Sequence, residues 1–336
     1  MVLVWIPPRA ALRHALGSLG MRSDLSGFVR LNFLGVAVRI GLPEALAPEA
    51  SAVQVAERLG IVNTDLLETL LDVGVAVGEL RRRGGRYALK GKRIRAMAAD
   101  SGDALRALAV ELASYHGSVY HDLPARLAGE RLGDYLSEYD DVIARSSRLV
   151  EPWVSRFVRS VVMIGNPKSL LEIGCGTGAY LRHVAQAAPR IRGVGIDMSE
   201  TVVALAAANI KTWQIADRFT VRQADIRSDN PDLPGPYDLI TLYNNIYYFA
   251  EDERAPLFRQ LADRLSPTGR LVLVSLFRDS TVAAQDLDLT LRSTQGCSGL
   301  PERTELARAL REAGFESVTE TRLMPTEPVY GVVAAR

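Results

Sequence analysis

Residues 169–197 read SLLEIGCGTGAYLRHVAQAAPRIRGVGID and decide the fold of the second half of the chain. A short apolar run ends at Gly174, Gly176 and Gly178, and a helix-like segment and a second apolar run follow before Asp197. Glycines at this spacing let the backbone turn sharply against a ligand, and the next helix offers free N–H groups at its start. An acid at the end of the second strand lies where it can accept both hydroxyls of an adenosine ribose. The stretch therefore predicts a strand, glycine loop, helix and strand that bind an adenine nucleoside.

Two cofactor classes fit such a loop. Gly174-x-Gly176-x-x-Ala179 satisfies the loose dinucleotide pattern, which indicates a nicotinamide or flavin. Glu172-x-Gly174-x-Gly176-x-Gly178 is the tighter pattern, and it resembles the first motif of the class I S-adenosylmethionine (SAM) methyltransferases. In that family the acid and the loop backbone receive the methionine end of the cofactor. We favour SAM, because further matches follow in the order that the family shows.

The later matches cover the nucleoside half of SAM and the methyl group. Asp197 stands at the ribose position, Asp225 at the position of the acid on the adenine amine, and Ile226 beside the ring. The strand-like run 237–242 resembles the strand whose end faces the transferred methyl group. For each glycine the other interpretation is an ordinary turn, and for each acid a helix cap or a solvated loop. The resemblance implies the following cofactor-binding residues: Glu172, Gly174, Cys175, Gly176, Thr177, Gly178, Asp197, Met198, Asp225, Ile226 and Asn244.

Strands and helices alternate after residue 164, which predicts an α/β fold with a Rossmann-like, doubly wound sheet. We expect strands near 169–173, 192–196, 219–222, 237–242 and 270–276. Leu265–Gly269 is predicted as a turn before the last of these. A final hairpin of 317–323 and 329–335 would add an antiparallel strand, which favours a methyltransferase over a dinucleotide dehydrogenase.

The first half of the chain predicts a mainly helical domain that resembles a winged helix. We divide the chain into an arm (1–22), this domain (23–100), connecting helices that form a wall of the substrate pocket (101–163) and a SAM-binding domain (164–336). The predicted parts include helices over 51–60 and 64–73, a hairpin of 75–80 and 86–89, and one helix over 135–162.

Eight basic residues and no acid between Arg81 and Arg95 invite a DNA-binding interpretation. The helix that would enter the groove instead carries Asp65, Glu68 and Asp72 and no Lys or Arg, so it would oppose the phosphates. A winged helix before a methyltransferase domain also resembles the small-molecule O-methyltransferases, whose N-terminal module builds a dimer. We therefore expect a homodimer and no nucleic-acid partner.

Composition agrees with a globular enzyme. The 336 residues carry a net charge of +1, from 40 basic and 39 acidic residues, which gives no general attraction to nucleic acid. Two cysteines, Cys175 and Cys297, make a disulfide framework improbable and predict a reducing cytoplasm. No apolar run approaches the roughly 20 residues that span a bilayer, so we expect no membrane partner. The histidines do not form a ligand set, and we predict no metal; His183 is expected to be solvated.

The sequence determines the acceptor site less well than the cofactor site. Plant-type O-methyltransferases place a basic His just after the fourth strand, whereas this chain has tyrosines at that point. His116 and Tyr120 are four residues apart on a predicted helix and could deprotonate a hydroxyl, or form an interdomain hydrogen-bonding pair. The candidate catalytic residues are His116, Tyr120, Tyr247 and Tyr248, and the candidate substrate contacts are Tyr115, Asn245 and Trp153. Asp286, Asp288 and the loop 295–299 are further candidates, or belong to a surface connection.

These observations predict a SAM-dependent methyltransferase that acts on a hydroxyl oxygen of a small molecule. Transfer to carbon or nitrogen is the alternative among enzymes. A winged-helix regulator that senses SAM is the alternative among DNA-binding proteins.

Overall fold

The computed structural model describes residues 8–134, 138–228, 233 and 235–336. The chain divides into two units, Met1–Tyr120 and His121–Arg336. The division falls inside the segment 101–163 that the sequence predicts as connecting helices. The pocket wall assigned to that segment stays a prediction.

The first unit is mainly helical, with one small sheet. Its elements in chain order are α1 (Pro8–Arg39), α2 (Leu42–Ala45), β1 (Ala50–Ser51), α3 (Ala52–Leu59), α4 (Thr64–Ala76), β2 (Leu80–Arg83), β3 (Arg86–Leu89), α5 (Lys92–Ala98), α6 (Asp103–Glu111), a π-helical turn (Leu112–His116) and α7 (Gly117–Leu127), which crosses into the second unit. The sheet has the order β1-β3-β2 and is antiparallel. Helix, helix and hairpin thus occur in the predicted order, and the assignment to a winged helix stays a prediction.

Helix α1 differs from the arm that the sequence predicts. It runs without a break across residue 22, where the arm was expected to end. Pro8 suits the first position of a helix, and the Ala, Leu and Arg residues that follow are strong helix formers. Residues 1–7 of the predicted arm lie outside the described residues.

The hairpin begins later than the sequence indicates. Residues 75 and 76 belong to α4, because Leu67, Leu71 and Gly74 form a buried face that continues to its last turn. Gly78, with φ +79°, turns the chain before β2. The predicted strand over 75–80 is therefore wrong except at its final residue.

The acids of α4 bind the hairpin. Arg82 on β2 donates to Glu68 at 2.7 Å and to Asp72 at 3.1 Å, and the hydroxyl of Tyr87 on β3 donates to Asp72 at 2.8 Å. Burial and the bond to Asp72 raise the pKa of Tyr87 above its usual range. The same acids that oppose a DNA-binding interpretation thus neutralise Arg82 within the unit.

The second unit is a seven-stranded sheet between helices. Its elements are α8 (Asp140–Ser146), α9 (Glu151–Gly165), β4 (Ser169–Ile173), α10 (Ala179–Ala187), β5 (Arg192–Asp197), α11 (Glu200–Thr212), β6 (Phe219–Gln223), β7 (Tyr237–Tyr243), α12 (Glu251–Asp263), β8 (Leu265–Leu276), α13 (Val282–Arg292), α14 (Arg303–Glu312), β9 (Ser317–Arg322) and β10 (Val329–Ala335). Short 3₁₀ turns cover Ser147–Val150 and Ile246–Tyr248.

The strand order is β6-β5-β4-β7-β8-β10-β9. Strands β4 to β8 are parallel, and β10 pairs antiparallel with both β8 and β9. This confirms the predicted Rossmann-like sheet and its antiparallel ending. Alternate residues of β4 face opposite sides: Leu171 and Ile173 enter one apolar core, and Leu170 enters the other.

Two segments of the second unit correct the sequence-based expectations. In its described part, the single helix predicted over 135–162 is broken into α8, a 3₁₀ turn and α9; residues 135–137 lie outside the described residues. Pro152, in the first turn of α9, suits a helix start and cannot continue the preceding turn. The turn predicted at Leu265–Gly269 lies inside β8, beside a register shift between Tyr237 and Leu239. No helix in the described ranges combines the length and the apolarity needed to cross a membrane.

Candidate active site

The glycine loop joins β4 to α10 at the carboxyl edge of the parallel strands. Gly174, Gly176 and Gly178 have φ angles of +63°, +53° and +79°, the left-handed region that favours glycine. At Gly174 space is also restricted, because a Cβ there would overlap the side-chain nitrogen of Asn245. Around Gly176 a Cβ would meet nothing within 4 Å, which leaves that side of the loop open to a ligand.

Asp197, at the end of β5, is attached to the glycine loop. One of its oxygens accepts a hydrogen bond from the amide of Gly176 at 3.0 Å, and the other accepts from the amide of Ser199 at 3.1 Å. A carboxylate has about four acceptor positions, so each oxygen keeps capacity for a hydroxyl group. The predicted ribose acid is therefore held beside the loop with acceptor positions to spare.

Glu172, near the end of β4, is a buried acid without a protein partner. Its residue is 1% exposed, and neither carboxylate oxygen has a hydrogen-bond partner among the described residues. Burial, and next the charge of Asp197, raise the pKa of Glu172 well above its usual range. A buried carboxyl group of this kind is satisfied when a cationic donor, such as an ammonium group, lies against it.

The segment after β7 lies against the glycine loop. Asn245, which the sequence predicts as a substrate contact, donates from its side-chain nitrogen to the carbonyl of Ile173, and its buried oxygen has no partner among the described residues. Asn244 has φ +55°, and its amide donates to Val274 at 2.7 Å. Asn245 therefore lies against the glycine loop, and its role as a substrate contact stays a prediction.

The predicted adenine residues follow β5 and β6. Ile226 is 2% exposed within the apolar core, whereas Met198 is 59% exposed. Asp225 forms an ion pair with Arg227 at 2.8 Å. Arg227 was missed by sequence reasoning; the available signal was a lone basic residue two positions after the predicted adenine acid.

The structure assigns Cys175 a packing role for its side chain. The residue is buried, and its sulfur would lie 3.0 Å from a Cβ built on Gly195 of the neighbouring strand. Burial raises the pKa of the thiol well above its usual value. The side chain therefore packs on the sheet, and only the backbone of Cys175 belongs to the loop that was predicted to bind the cofactor.

Comparison with known proteins identifies the domain. A methyltransferase domain family matches residues 171–271, which include the glycine loop, Asp197 and Asp225. Demethylspheroidene O-methyltransferase of Rhodobacter capsulatus is 25% identical over 325 residues, which cover 89% of this chain and 77% of that protein. A 3-hydroxy-5-methyl-1-naphthoate 3-O-methyltransferase of Streptomyces sahachiroi is 25% identical over 328 residues and 93% of both chains. The chain is a SAM-dependent methyltransferase.

Solved structures agree with this methyltransferase fold. Mitomycin 7-O-methyltransferase superposes with a TM-score of 0.79 at 20% identity, over 97% of this chain and 99% of that one. Human N-acetylserotonin methyltransferase, in complex with SAM, gives a TM-score of 0.75 at 17% identity, over 95% and 97% of the two chains. The match of residues 171–271 to a methyltransferase domain supports SAM as the cofactor over a nicotinamide or flavin.

The residues of the methyltransferase loop fit SAM. The unpartnered oxygens of Glu172 and Asn245 are acceptors, as the ammonium group of the methionine end requires. The open side of Gly176 and the remaining acceptor positions of Asp197 suit the ribose. The buried Ile226 can support one face of an adenine ring. The roles of individual residues stay predictions.

The candidate acceptor residues are divided between the two units of the methyltransferase. Tyr115, His116 and Tyr120 belong to the first unit, where Tyr115 and His116 are buried and Tyr120 is 54% exposed. The π-helical turn ends at His116, and Tyr120 lies in the α-helix that follows it. The two side chains therefore have different surroundings, and their predicted roles stay predictions.

The other acceptor candidates lie in the second unit. Tyr247 and Tyr248 form the 3₁₀ turn after β7, with ring centroids 4.8 Å apart, and Trp153 on α9 is 41% exposed. The amide of Ser298 donates to the carbonyl of Tyr247 at 2.7 Å, which ties the loop 295–299 to that turn.

Asp288, which the sequence offered as a substrate contact, supports this loop instead. It is buried, accepts from the amide of Leu300 at 2.7 Å and pairs with Arg292 at 3.0 Å. These bonds fix the end of the loop next to the Tyr247 turn. Asp288 therefore supports the end of the loop 295–299.

Glu172 gives a prediction of pH-dependent stability. Its raised pKa means that the unfolded chain loses this proton near pH 4.5 while the ligand-free folded protein keeps it, so its effect on stability becomes unfavourable as the pH rises above that value. We expect Glu172→Gln to raise Tm by about a few degrees at neutral pH, and the gain to shrink toward pH 4.5. Thermal unfolding of the ligand-free protein at several pH values measures this.

The exposed Glu316 supplies the control for this series. Glu316→Gln replaces a carboxyl group that is already exposed to water. It should therefore give no comparable rise in Tm. A Glu172→Gln protein with the same dependence of Tm on pH as wild type would contradict the raised pKa of Glu172.

Proposed function

We propose that this methyltransferase transfers the methyl group of SAM to a hydroxyl oxygen of a small molecule. The observation that carries the proposal is the similarity, over 89% and 93% of this chain, to two O-methyltransferases of small molecules. The similarity includes the first unit as well as the methyltransferase domain. The acceptor class therefore does not depend on the glycine loop alone.

The chain contributes mainly by positioning the reactants. SAM supplies a methyl group on a sulfonium, which is already an activated leaving group. Holding two reactants in line can supply effective molarities on the order of 10⁵–10⁸ M. We propose that Glu172 and Asn245 fix the methionine end and Asp197 the ribose, and that the 3₁₀ turn of Tyr247 and Tyr248 faces the acceptor.

A base is required when the acceptor hydroxyl has a high pKa. We propose His116 for this role. Its Nε2 lies 3.6 Å from a carboxylate oxygen of Glu111, and both side chains are buried in the first unit. A carboxylate beside an imidazole orients the ring and stabilises the imidazolium that forms when a proton is taken up.

The experiment incubates the protein with SAM carrying a deuterated methyl group and a set of phenols, aliphatic alcohols, amines and carbon acids. Mass spectrometry then identifies the labelled product and the atom that carries the label. We expect label on hydroxyl oxygen. Label on carbon or nitrogen alone would contradict the proposal.

The variant His116→Gln tests the base separately. We expect kcat to fall about 10²–10⁴-fold, the usual contribution of general base catalysis, with unchanged affinity for S-adenosylhomocysteine (SAH). The loss should be smallest for the most acidic phenols, because they need least help with deprotonation. An equal loss of kcat for all acceptors would indicate that His116 has a structural role.

We also propose that the first unit joins two chains in a homodimer. Met21, Leu25 and Phe28 on α1 are 68%, 59% and 66% exposed, and their spacing places them along one face of the helix. An exposed apolar stripe of this kind is typical of an interface. We expect light scattering to report twice the chain mass, and Leu25→Glu with Phe28→Glu to shift it to one chain; a wild-type monomer would contradict the proposal.

A further inference from the structure

Two buried hydroxyl groups lie on the strand next to Glu172. Strand β7 pairs in parallel with β4, and Thr241 is the register partner of Glu172. Side chains alternate along a strand, so Thr241 and Tyr243 face the same side of β7. Leu170 of β4 and Tyr243 belong to one apolar core, which places Glu172 on that side as well. The three polar side chains therefore share one buried face of the sheet.

Hydrogen bonds within the described residues do not compensate for the burial of these three side chains. Glu172, Thr241 and Tyr243 are 1%, 0% and 6% exposed. Both hydroxyl oxygens and both carboxylate oxygens lack a hydrogen-bond partner among the described residues. Buried polar groups are nearly always bonded to protein or to ordered water, because an unbonded one destabilises the fold. A set of such atoms on one face of a sheet therefore indicates a bound polar molecule.

The surroundings of Tyr243 keep the proton on its hydroxyl group. Burial, and next the charge of Glu172, raise the pKa of Tyr243 well above its usual value. Thr241 lies near enough to act on the same phenol, yet the two hydroxyls do not have the geometry of a hydrogen bond. The ring of Tyr180 on α10 packs against the phenol ring, with centroids 4.6 Å apart. Tyr243 is thus a buried donor directed into the polar face.

A single water molecule fits this set of groups. Buried waters typically form about three hydrogen bonds to polar groups that the protein leaves unsatisfied. The hydroxyls of Thr241 and Tyr243 can donate to such a water, and the water can donate to one oxygen of Glu172. A metal ion fits less well, since no group of three or more His, Cys, Asp or Glu among the described residues could hold one.

We propose that a buried water joins Thr241 and Tyr243 to Glu172, which makes Tyr243 a positioning residue for this carboxylate. The water donates to one oxygen of Glu172 and so fixes the direction of the other, which receives the ammonium group of the cofactor. Tyr243 acts through Glu172 and does not contact the reacting methyl group. The proposal rests on the proposed placement of the methionine end at Glu172, and not on the identity of the acceptor.

The test compares calorimetric binding of SAH with that of 5′-methylthioadenosine, which lacks the methionine end. Tyr243→Phe removes only the hydroxyl group. We expect it to lower the affinity for SAH about threefold to tenfold, and that for 5′-methylthioadenosine less than about twofold. Thr241→Val removes the other donor and should also weaken SAH binding selectively. Equal losses for the two ligands, or unchanged SAH affinity in Tyr243→Phe, would overturn the positioning role.

Tyr237→Phe is the matched control. Tyr237 begins β7, and its buried hydroxyl also lacks a hydrogen-bond partner among the described residues. Its substitution should leave both affinities unchanged and raise Tm slightly, because it removes a buried polar group without a partner. The Tm of Tyr243→Phe should lie about 1–3 °C below that of Tyr237→Phe, since the hydroxyl of Tyr243 is bonded to the water. Equal rises in Tm would overturn the water site.

Glu172→Gln separates this proposal from the proposed placement of the cofactor. It should weaken SAH binding, and adding Tyr243→Phe should then cost little more, because Tyr243 acts through the carboxylate. Full additivity of the two losses would contradict that coupling. If Glu172→Gln bound SAH as tightly as wild type does, the placement of the methionine end, and with it the positioning role, would be wrong. The difference in Tm between Tyr243→Phe and Tyr237→Phe would still decide the water site.

Discussion

Asp197→Ala is expected to abolish measurable binding of SAH. Asp197 would lose two hydrogen bonds to the ribose, and bonds to a charged group contribute about 1.5–3 kcal/mol each, so affinity should fall by at least about a hundredfold. The substitution also removes the acceptors for the amides of Gly176 and Ser199, which releases the glycine loop from β5. Isothermal calorimetry with SAH measures the loss.

Two further variants separate the ribose contacts from general effects of charge. Asp197→Asn keeps one acceptor oxygen and should retain more affinity than Asp197→Ala. Asp217 is exposed and lies before β6, away from the carboxyl ends of the strands, so Asp217→Ala should bind SAH as wild type does. If Asp197→Ala bound SAH as tightly as wild type does, the assignment of Asp197 to the ribose would be wrong.

Gly174→Ala is expected to lower stability and to prevent SAH binding. The new Cβ would overlap the side-chain nitrogen of Asn245, which donates to Ile173, so the segment after β7 must move away from the loop. The left-handed backbone adds about 1–2 kcal/mol of strain for any residue other than glycine. Thermal unfolding measures the loss of stability, and calorimetry with SAH measures the loss of binding.

Gly176→Ala is the matched control for Gly174→Ala, because the two positions have similar φ angles and differ in the space around them. Backbone strain is therefore common to both, and the difference between their Tm values reports the overlap with Asn245. Adding Asn245→Ala to Gly174→Ala should recover part of the lost Tm by removing the overlapping atom. Equal Tm losses in the two single variants, without recovery in the double variant, would contradict the contact.

Local backbone requirements explain why the cofactor fold could be predicted. Three alternating glycines all occupy the left-handed region, which few other residues adopt. Strands with apolar residues in continuous runs predict a sheet buried on both faces, and the acids at their ends fall at one edge. These features are determined by residues that are close together in the chain, so they can be predicted from one sequence.

Side-chain partners distant in sequence were not predicted with the same success. His183 was expected to be solvated, yet its ring lies 2.8 Å from Glu151, on a different helix. This contact, with a bond from Arg148, holds the pKa of Glu151 below its usual range. Asp288 was considered a substrate contact and proved to support Leu300. The choice of partner in each case depends on packing between elements, which periodicity does not encode.

The sequence by itself determined the sheet, the glycine loop and the positions of Glu172, Asp197 and Asp225, because glycine conformation and strand-end placement are local properties. Only the tertiary structure decided that Asn245 donates to Ile173, 72 residues away, and that Met198 lies 3.5 Å from Arg227. Burial is likewise a property of the folded chain, so the raised pKa of Glu172 follows from the helices and strands that exclude water around it.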